Sequence, residues 1–364
     1  NDGNNQVLPL AFSFCEGEPK EAWLWFLRHL RREVMPNRMG VCIISDRHPS
    51  IKAAMRDRYS GFQSPAGHHR YCLEHIKKNF IKYHPNEQLK NLMWLAGSCH
   101  QRRKHDRAME EIKEISETAW KYLDKIPKRR WTMAYDNKKR WGMRTTNISE
   151  CINSVLKNAR SVPITACVQF IFERVNKYFE ERRAVAASSF DQGWTEVVLK
   201  QLDAWRLHSG GHTVTSYDRS TGIFQVLTHH KLTTQTINLT ARTCDCGKWE
   251  MYGYPCSHVM AAVQSMNMDW RTYIDNFYTI ETLARLWSPR FYPVKHKDYW
   301  DYTPRYELLP DPLMIRKRGR PESTRRRSDA DITSASLGKK CRLCNQPGHD
   351  RRTCPDKDRA GTSR

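Results

Sequence analysis

The sequence predicts an α/β fold with small metal-bound modules on its C-terminal side, and three observations carry that expectation. A short run rich in β-branched residues, Val41-Cys42-Ile43-Ile44, stands between two stretches of helical periodicity. Amphipathic patterns recur over residues 87–125 and 164–183. Half of the 12 cysteines lie in tight clusters with a histidine.

Taken in order, residues 6–15 read as a strand with Pro9 early in it. Pro19 then opens a helix whose buried face is Trp23, Phe26, Leu27 and Leu30, at i, i+3, i+4 and i+7. The strand at Val41 to Ile44 ends at Ser45-Asp46, and Pro49 starts the next helix. The polar stretch 87–125 repeats Leu89, Met93 and Leu95, then Met109, Ile112 and Ile115, and reads as helical. Over 164–183 the apolar face is Val168, Ile171, Phe172, Val175, Tyr178 and Phe179. Near residue 210 the pattern changes, and residues 223–227 and 236–240 read as short strands. Residues 313–340 have the basic, Gly/Pro/Ser-bearing composition of a linker.

The 364 residues suggest two or three domains, and 39% hydrophobic with 11% aromatic content excludes a wholly disordered chain. No apolar run approaches the roughly 18 residues of a membrane span, so no membrane partner is expected. No secretory signal pattern is visible, and a first residue Asn1 suggests a piece of a longer protein. Lys and Arg number 61 against 39 Asp and Glu, a net charge of +22 that points to nucleic acid as partner. The last 52 residues hold 15 basic and 6 acidic side chains, a surplus of nine.

Two Cys/His clusters have ligand spacing. Cys341, Cys344, His349 and Cys354 follow C-x2-C-x4-H-x4-C, a full tetrahedral zinc shell of three thiolates and an imidazole. Four ligands in 14 residues bury no core, so zinc must supply the folding energy. The motif at residues 341–355 resembles a retroviral-type zinc knuckle, which implies binding of single-stranded nucleic acid. Cys244-x-Cys246, nine residues, then Cys256-x-His258 places one pair at a strand end and the other at a helix start. With two strands before it, the unit over 205–265 reads as ββα and resembles the SWIM zinc finger. Its four protein ligands leave no open position for water, so this zinc is structural. Between the clusters, Arg316, Lys317, Arg318 and Arg320 surround Gly319 and precede Pro321, as in the core of an AT-hook, and Arg325, Arg326 and Arg327 follow. The same run suits a nuclear localisation signal.

The N-terminal half offers candidate catalytic groups. Asp46 stands at the C-terminal mouth of a strand, where open sheets place their chemistry, and equally suits a helix cap. Glu150 follows Asn147 at capping-box spacing. Cys72 and His75 share one face at i, i+3.

The order of these features resembles a Mutator-like element (MULE, MuDR-type) transposase. The matching stretches begin with Asp2-Gly3-Asn4-Asn5-Gln6 and Trp23-Leu24-Trp25-Phe26-Leu27. They continue with Ile44-Ser45-Asp46-Arg47, Tyr71-Cys72-Leu73-Glu74-His75 and Thr146-Asn147-Ile148-Ser149-Glu150-Cys151. The finger, Phe277-Tyr278 and the knuckle complete the order. The resemblance implies an RNase H-like catalytic domain over 1–190, N-terminally truncated, with a helical insertion at about 85–140. A helical segment would follow the finger at 266–312. Three acids would hold Mg²⁺ for DNA cleavage and strand transfer, with Asp46 as the second acid, Glu150 as the third, and Cys72 and His75 as the C-x2-H motif. The first acid would lie upstream of Asn1, so catalysis by this chain alone is not expected. The implied partner is DNA at transposon ends, in the nucleus, and a homo-oligomer stays open. The rival reading is a transposase-derived DNA-binding transcriptional regulator without catalysis, like the far-red-response factors. A third is an RNA-binding knuckle protein. The knuckle favours the transposase over the regulators, which as a family lack it.

Overall fold

The computed structural model describes residues 1–294 and Tyr299, apart from residues 16, 148–151, 153–154, 157–161 and 219. Residues 1–291 form one unit and 292–364 another. The linker, the knuckle and nearly all of the second unit thus lie outside the described residues, as does Glu150.

The first unit opens with a helix, α1 (Lys20–His29), directly after Pro19. Strand β1 (Val41–Ser45) follows, then α2 (Pro49–Arg56) with its proline in the first turn. Strand β2 (Gly67–Tyr71) runs parallel to β1, in a register that pairs Val41 with Gly67 and Ser45 with Tyr71. Leu27, Ile51, Ala54, Met55 and Phe62 bury one side of this layer.

The strand expected at residues 6–15 does not form. Pro9 removes a ladder donor. The stretch is held by other means: Arg182 donates to the Val7 carbonyl, and Leu8 packs beside Trp287. Leu10, Phe12 and Phe14 are left exposed.

A compact bundle of helices follows β2. After α3 (Leu73–Tyr83) come α4 (Glu87–Ser98), α5 (Arg102–Ile115), α6 (Glu117–Asp124) and a single turn α7 (Lys128–Trp131). Asn86 and Ser116 cap α4 and α6 by accepting from the N–H of Leu89 and Ala119. Leu73, Ile76, Phe80, Met93, Ile112, Leu123 and Trp131 form the shared core. At Gly97 α4 meets α3 so closely that a Cβ would sit 2.3 Å from Leu73 Cδ1. Two expected core residues fall off the stripe: Leu95 and Ile115 are exposed.

Helix α8 (Ile164–Ser188) starts at Pro163, and α9 (Glu196–Ser209) leads into an antiparallel sheet. Along α8 the expected apolar Val168 is exposed while Phe179 is buried. The sheet has four strands where two were expected: β3 (His212–Asp218), β4 (Ile223–Thr228), β5 (Thr233–Asn238) and β6 (Thr243–Cys244), in that order. The polar β3 carries little apolar signal, and β6 is only two residues long. A short helix α10 (Lys248–Tyr252) and α11 (Ser257–Ser265) cover the sheet, burying Phe224, Val226, Ile237, Trp249, Val259 and Val263.

The last helix, α12 (Ile280–Trp287), returns to the first residues. Trp287 Nε1 donates to Asp2 Oδ2 at 2.8 Å, and Asp2 Oδ1 accepts from the N–H of Asn4 and Gln6. Thr195 donates to the Gly3 carbonyl at 3.0 Å. The segment after the finger therefore belongs to the same unit as residue 2. No helix among the described residues is long and apolar enough to cross a membrane.

A buried charge network closes the loop after α7 onto β2. Asp136, 0% exposed, accepts from Arg70 Nε at 2.5 Å and from the Arg140 N–H at 2.7 Å. Arg140 donates onward to the carbonyls of Tyr71 and Arg130. Removing one member of such a network strands buried charge and costs about 3–5 kcal/mol. Asp136→Ala is therefore expected to lower unfolding stability by about that much in a urea titration, against less than about 0.5 kcal/mol for the exposed Glu110→Ala. Equal midpoints for the two variants would show that the network does not hold the fold.

Candidate metal centre

Cys244 ends β6, Cys246 lies two residues on, Cys256 caps α11, and His258 is in its first turn. Their four ligand atoms all lie within 4.8 Å of one another. His258 Nδ1 stands 3.8 Å from both Cys244 Sγ and Cys256 Sγ. With Zn–S near 2.3 Å and Zn–N near 2.0–2.1 Å, the edges of a zinc tetrahedron run about 3.5–3.8 Å, so the donor set fits that ion. Three soft thiolates and an imidazole suit zinc over the hard cations.

With only protons to share, the thiols ionise unevenly. Hydrogen bonds from Cys244 and Cys256 hold Cys246 far below the usual thiol range, and the proton shared with Cys246 pushes Cys244 far up. Burial pushes Cys256 up as well. A divalent cation removes this conflict by stabilising all three thiolates at once.

Several residues that sequence spacing could not single out hold the ligands in place. With His258 Nδ1 facing the thiols, Nε2 carries the proton and donates to Thr228 Oγ1 at 3.1 Å. His212 stacks on His258 with centroids 4.7 Å apart, and its Nε2 meets Ser257 Oγ at 2.9 Å. Burial, with His258 beside it, holds His212 at about 4, so the His212 ring is neutral at neutral pH. Asp245, between the first two cysteines, ties their loop to β5 by exchanging bonds with Thr236 at 2.7 and 3.0 Å. Gly247 turns the chain at φ +71, where a side chain would be strained and a Cβ would meet His100 Cβ at 3.0 Å.

The candidate catalytic residues stand on the other sheet. Asp46 and Cys72 directly follow the register pair Ser45 and Tyr71, so they leave the parallel strands side by side. The Cys72 N–H donates to the Ser45 carbonyl at 2.7 Å. Asp46 Oδ1 accepts from the His48 N–H at 3.0 Å, just ahead of α2. Burial raises the Cys72 thiol, but hydrogen bonds from His75 and from the Thr146 N–H outweigh it and bring the group to about 7. Leu73 N–H donates to the Arg144 carbonyl at 2.9 Å, so the chain arrives at this mouth three residues before Asn147. Glu150, Cys341, Cys344, His349, Cys354 and the basic run from Arg316 to Arg327 lie outside the described residues.

A relay that sequence reading missed orients the Asp46 turn. Arg130 Nη1 donates to His69 Nδ1 at 3.2 Å; an arginine only donates, so His69 Nε2 carries the proton and donates to Ser45 Oγ at 2.9 Å. The Ser45 hydroxyl then donates to the Asp46 carbonyl at 2.7 Å. Burial and the Arg130 charge hold His69 at about 4, neutral at physiological pH.

Two outcomes follow for the metal centre. Cys256→Ser is expected to lose about one zinc per chain by elemental analysis and to melt the β3–β6 sheet; unchanged zinc would refute the centre. Thr228→Val, which keeps the packing but removes the acceptor, is expected to weaken zinc affinity about 10–100-fold in a competitive chelator titration.

Comparison with known families agrees with this geometry. Residues 1–79 match the MULE transposase domain, and residues 233–267 match the SWIM zinc finger. No curated protein and no solved structure gives a match. The first match spans Asp46, Cys72 and His75, and the second spans all four ligands of the cluster. A MULE transposase domain followed by a zinc-binding SWIM finger is an arrangement consistent with a MuDR-type Mutator-like element transposase.

Proposed function

We propose that the chain is part of a MULE-type transposase that cleaves DNA and transfers strands. One observation carries this reading: within the MULE match, Asp46 and Cys72 stand side by side at the C-terminal ends of a parallel strand pair. Open sheets hold substrates beyond those ends. In this reading residues 1–190 form an RNase H-like domain, with the insertion over about 85–140. Arg144 and Thr146, bonded to Leu73 and Cys72, bring the chain to this mouth four residues before Glu150 in the sequence.

Asp46 and Glu150 are the residues that would hold Mg²⁺. A carboxylate at the mouth is a hard oxygen donor suited to that ion, and the His48 N–H fixes one Asp46 oxygen. When bound, Mg²⁺ supplies electrostatic stabilisation for in-line attack on a phosphodiester. Cys72 and His75 position the segment that carries Thr146, while Arg130, His69 and Ser45 hold the Asp46 turn. The SWIM zinc is structural. Arg316, Lys317, Arg318, Arg320 and Arg325 to Arg327 contact DNA, and the knuckle of Cys341, Cys344, His349 and Cys354 takes single strands. The protein acts in the nucleus.

The test is Mg²⁺-dependent cleavage and strand transfer by the intact transposase of which this chain is part. Asp46→Asn and Glu150→Gln are each expected to cut the rate by about 10³-fold or more, with zinc content and DNA affinity unchanged. Full activity in Asp46→Asn would overturn the assignment. An intact protein that binds DNA but never cleaves it would instead be a transposase-derived regulator.

A further inference from the structure

Between the start of α5 and the edge of the zinc module lies a cleft of about 590 Å³. Arg102 and Arg103 line it from α5, Lys138 from the loop after α7, and Thr234, Gln235 and Asp245 from the sheet side. Gln101 bridges the two walls, donating to Gln235 Oε1 at 3.2 Å and to the Asp245 carbonyl at 2.8 Å.

The charges around the cleft are unbalanced. Arg102, Arg103 and Lys138 are exposed. Among the described residues none of these three, nor Lys104, Arg144 or Lys248, takes part in an ion pair. The acids on the wall offer little compensation. They are Asp245, whose Oδ2 accepts from the Thr236 N–H, and Glu250, whose carboxyl burial raises although Lys138 works the other way, so two acids face three exposed cations. His100, also on the wall, has an unpartnered Nε2.

The sequence placement sharpens the imbalance. Three consecutive cations, Arg102, Arg103 and Lys104, occupy the first turn of α5, which has no acidic residue there. The start of a helix favours negative charge, so an unneutralised Arg-Arg-Lys run works against the fold. An anion in the cleft would relieve that repulsion.

We propose that this cleft is a phosphate-backbone subsite, where a DNA strand held by the protein passes between the helical insertion and the zinc module. The proposal rests on the reading of the chain as DNA-binding, and it names a place for that contact within the described residues. The Arg102 and Arg103 forks and the Lys138 ammonium suit successive phosphates, and the uncharged Thr234 and Gln235 on the sheet side impose no base preference. The wall built by the C-x-C loop makes the subsite depend on zinc.

The test uses the full 364-residue chain, fluorescence anisotropy, and 20-nucleotide single-stranded and duplex DNA over a KCl series. The variant Arg102→Ala/Arg103→Ala/Lys138→Ala is compared with Arg28→Ala/Lys177→Ala/Lys200→Ala, which removes three exposed cations from other elements. Zinc content checks that both are folded. Each lost contact should flatten the log–log salt slope by about 0.9 for duplex or about 0.7 for single strands. The cleft variant is expected to lose about 2–3 units on duplex, and the comparison variant less than about one. Equal slopes in the two variants, with the native chain binding, would overturn the subsite and leave the DNA-binding reading standing. No binding by the native chain at low salt would overturn both. As a second measurement, a benzophenone attached at Thr234→Cys in a Cys15→Ser background is expected to cross-link to bound DNA. Binding without cross-linking would count against the cleft.

Discussion

The strand mouth depends on one buried carboxylate. Asp136 is inaccessible to water and bonded to both Arg70 on β2 and Arg140 on the returning loop. A lone carboxylate there would be expensive, and so would either guanidinium. Together they form a directional joint. Arg140 passes the constraint to the Tyr71 carbonyl at the end of β2, one residue before Cys72. Four residues after Arg140, Arg144 receives the Leu73 N–H. The joint therefore sets where the chain re-enters the region of Asp46 after about 60 mainly helical residues.

The same helical bundle holds the zinc module. Gln101, ahead of α5, donates to the Asp245 carbonyl inside the C-x-C loop, and His100 packs against Gly247 and Tyr252. Two cores that share no strand are thus connected through a loop of helical origin. Metal loss at the finger would reach the insertion through these contacts before it reached β1 and β2.

Much of this was legible in the sequence because periodicity and ligand spacing are local. Val41 to Ile44, the helices after Asn86 and Pro163, and the Cys244 to His258 cluster all carry their evidence within a few residues. What was not legible depends on distant partners. The alternating Leu8, Leu10, Phe12 and Phe14 have the period of a strand, yet Pro9 and the docking of Leu8 by Trp287 prevent it. Leu95 and Ile115 miss the core because a helix turns about 100° per residue and the periodic count was one step off. Arg70, Asp136 and Arg140 look like ordinary surface charges until the fold encloses them. Thr228, the partner of His258 Nε2, is one threonine among many.

The bond between Trp287 and Asp2 joins residues 285 positions apart. It therefore bears on the order in which the protein is made. The first residues leave the ribosome with their buried partners unsynthesised. At about 5–20 residues per second, roughly 15–60 s pass before Trp287 emerges to cover them. During that interval Asp2, Leu8 and the apolar residues beyond it are open to solvent and to chaperones. The segment around Asp2 is thus made long before the helix that closes over it.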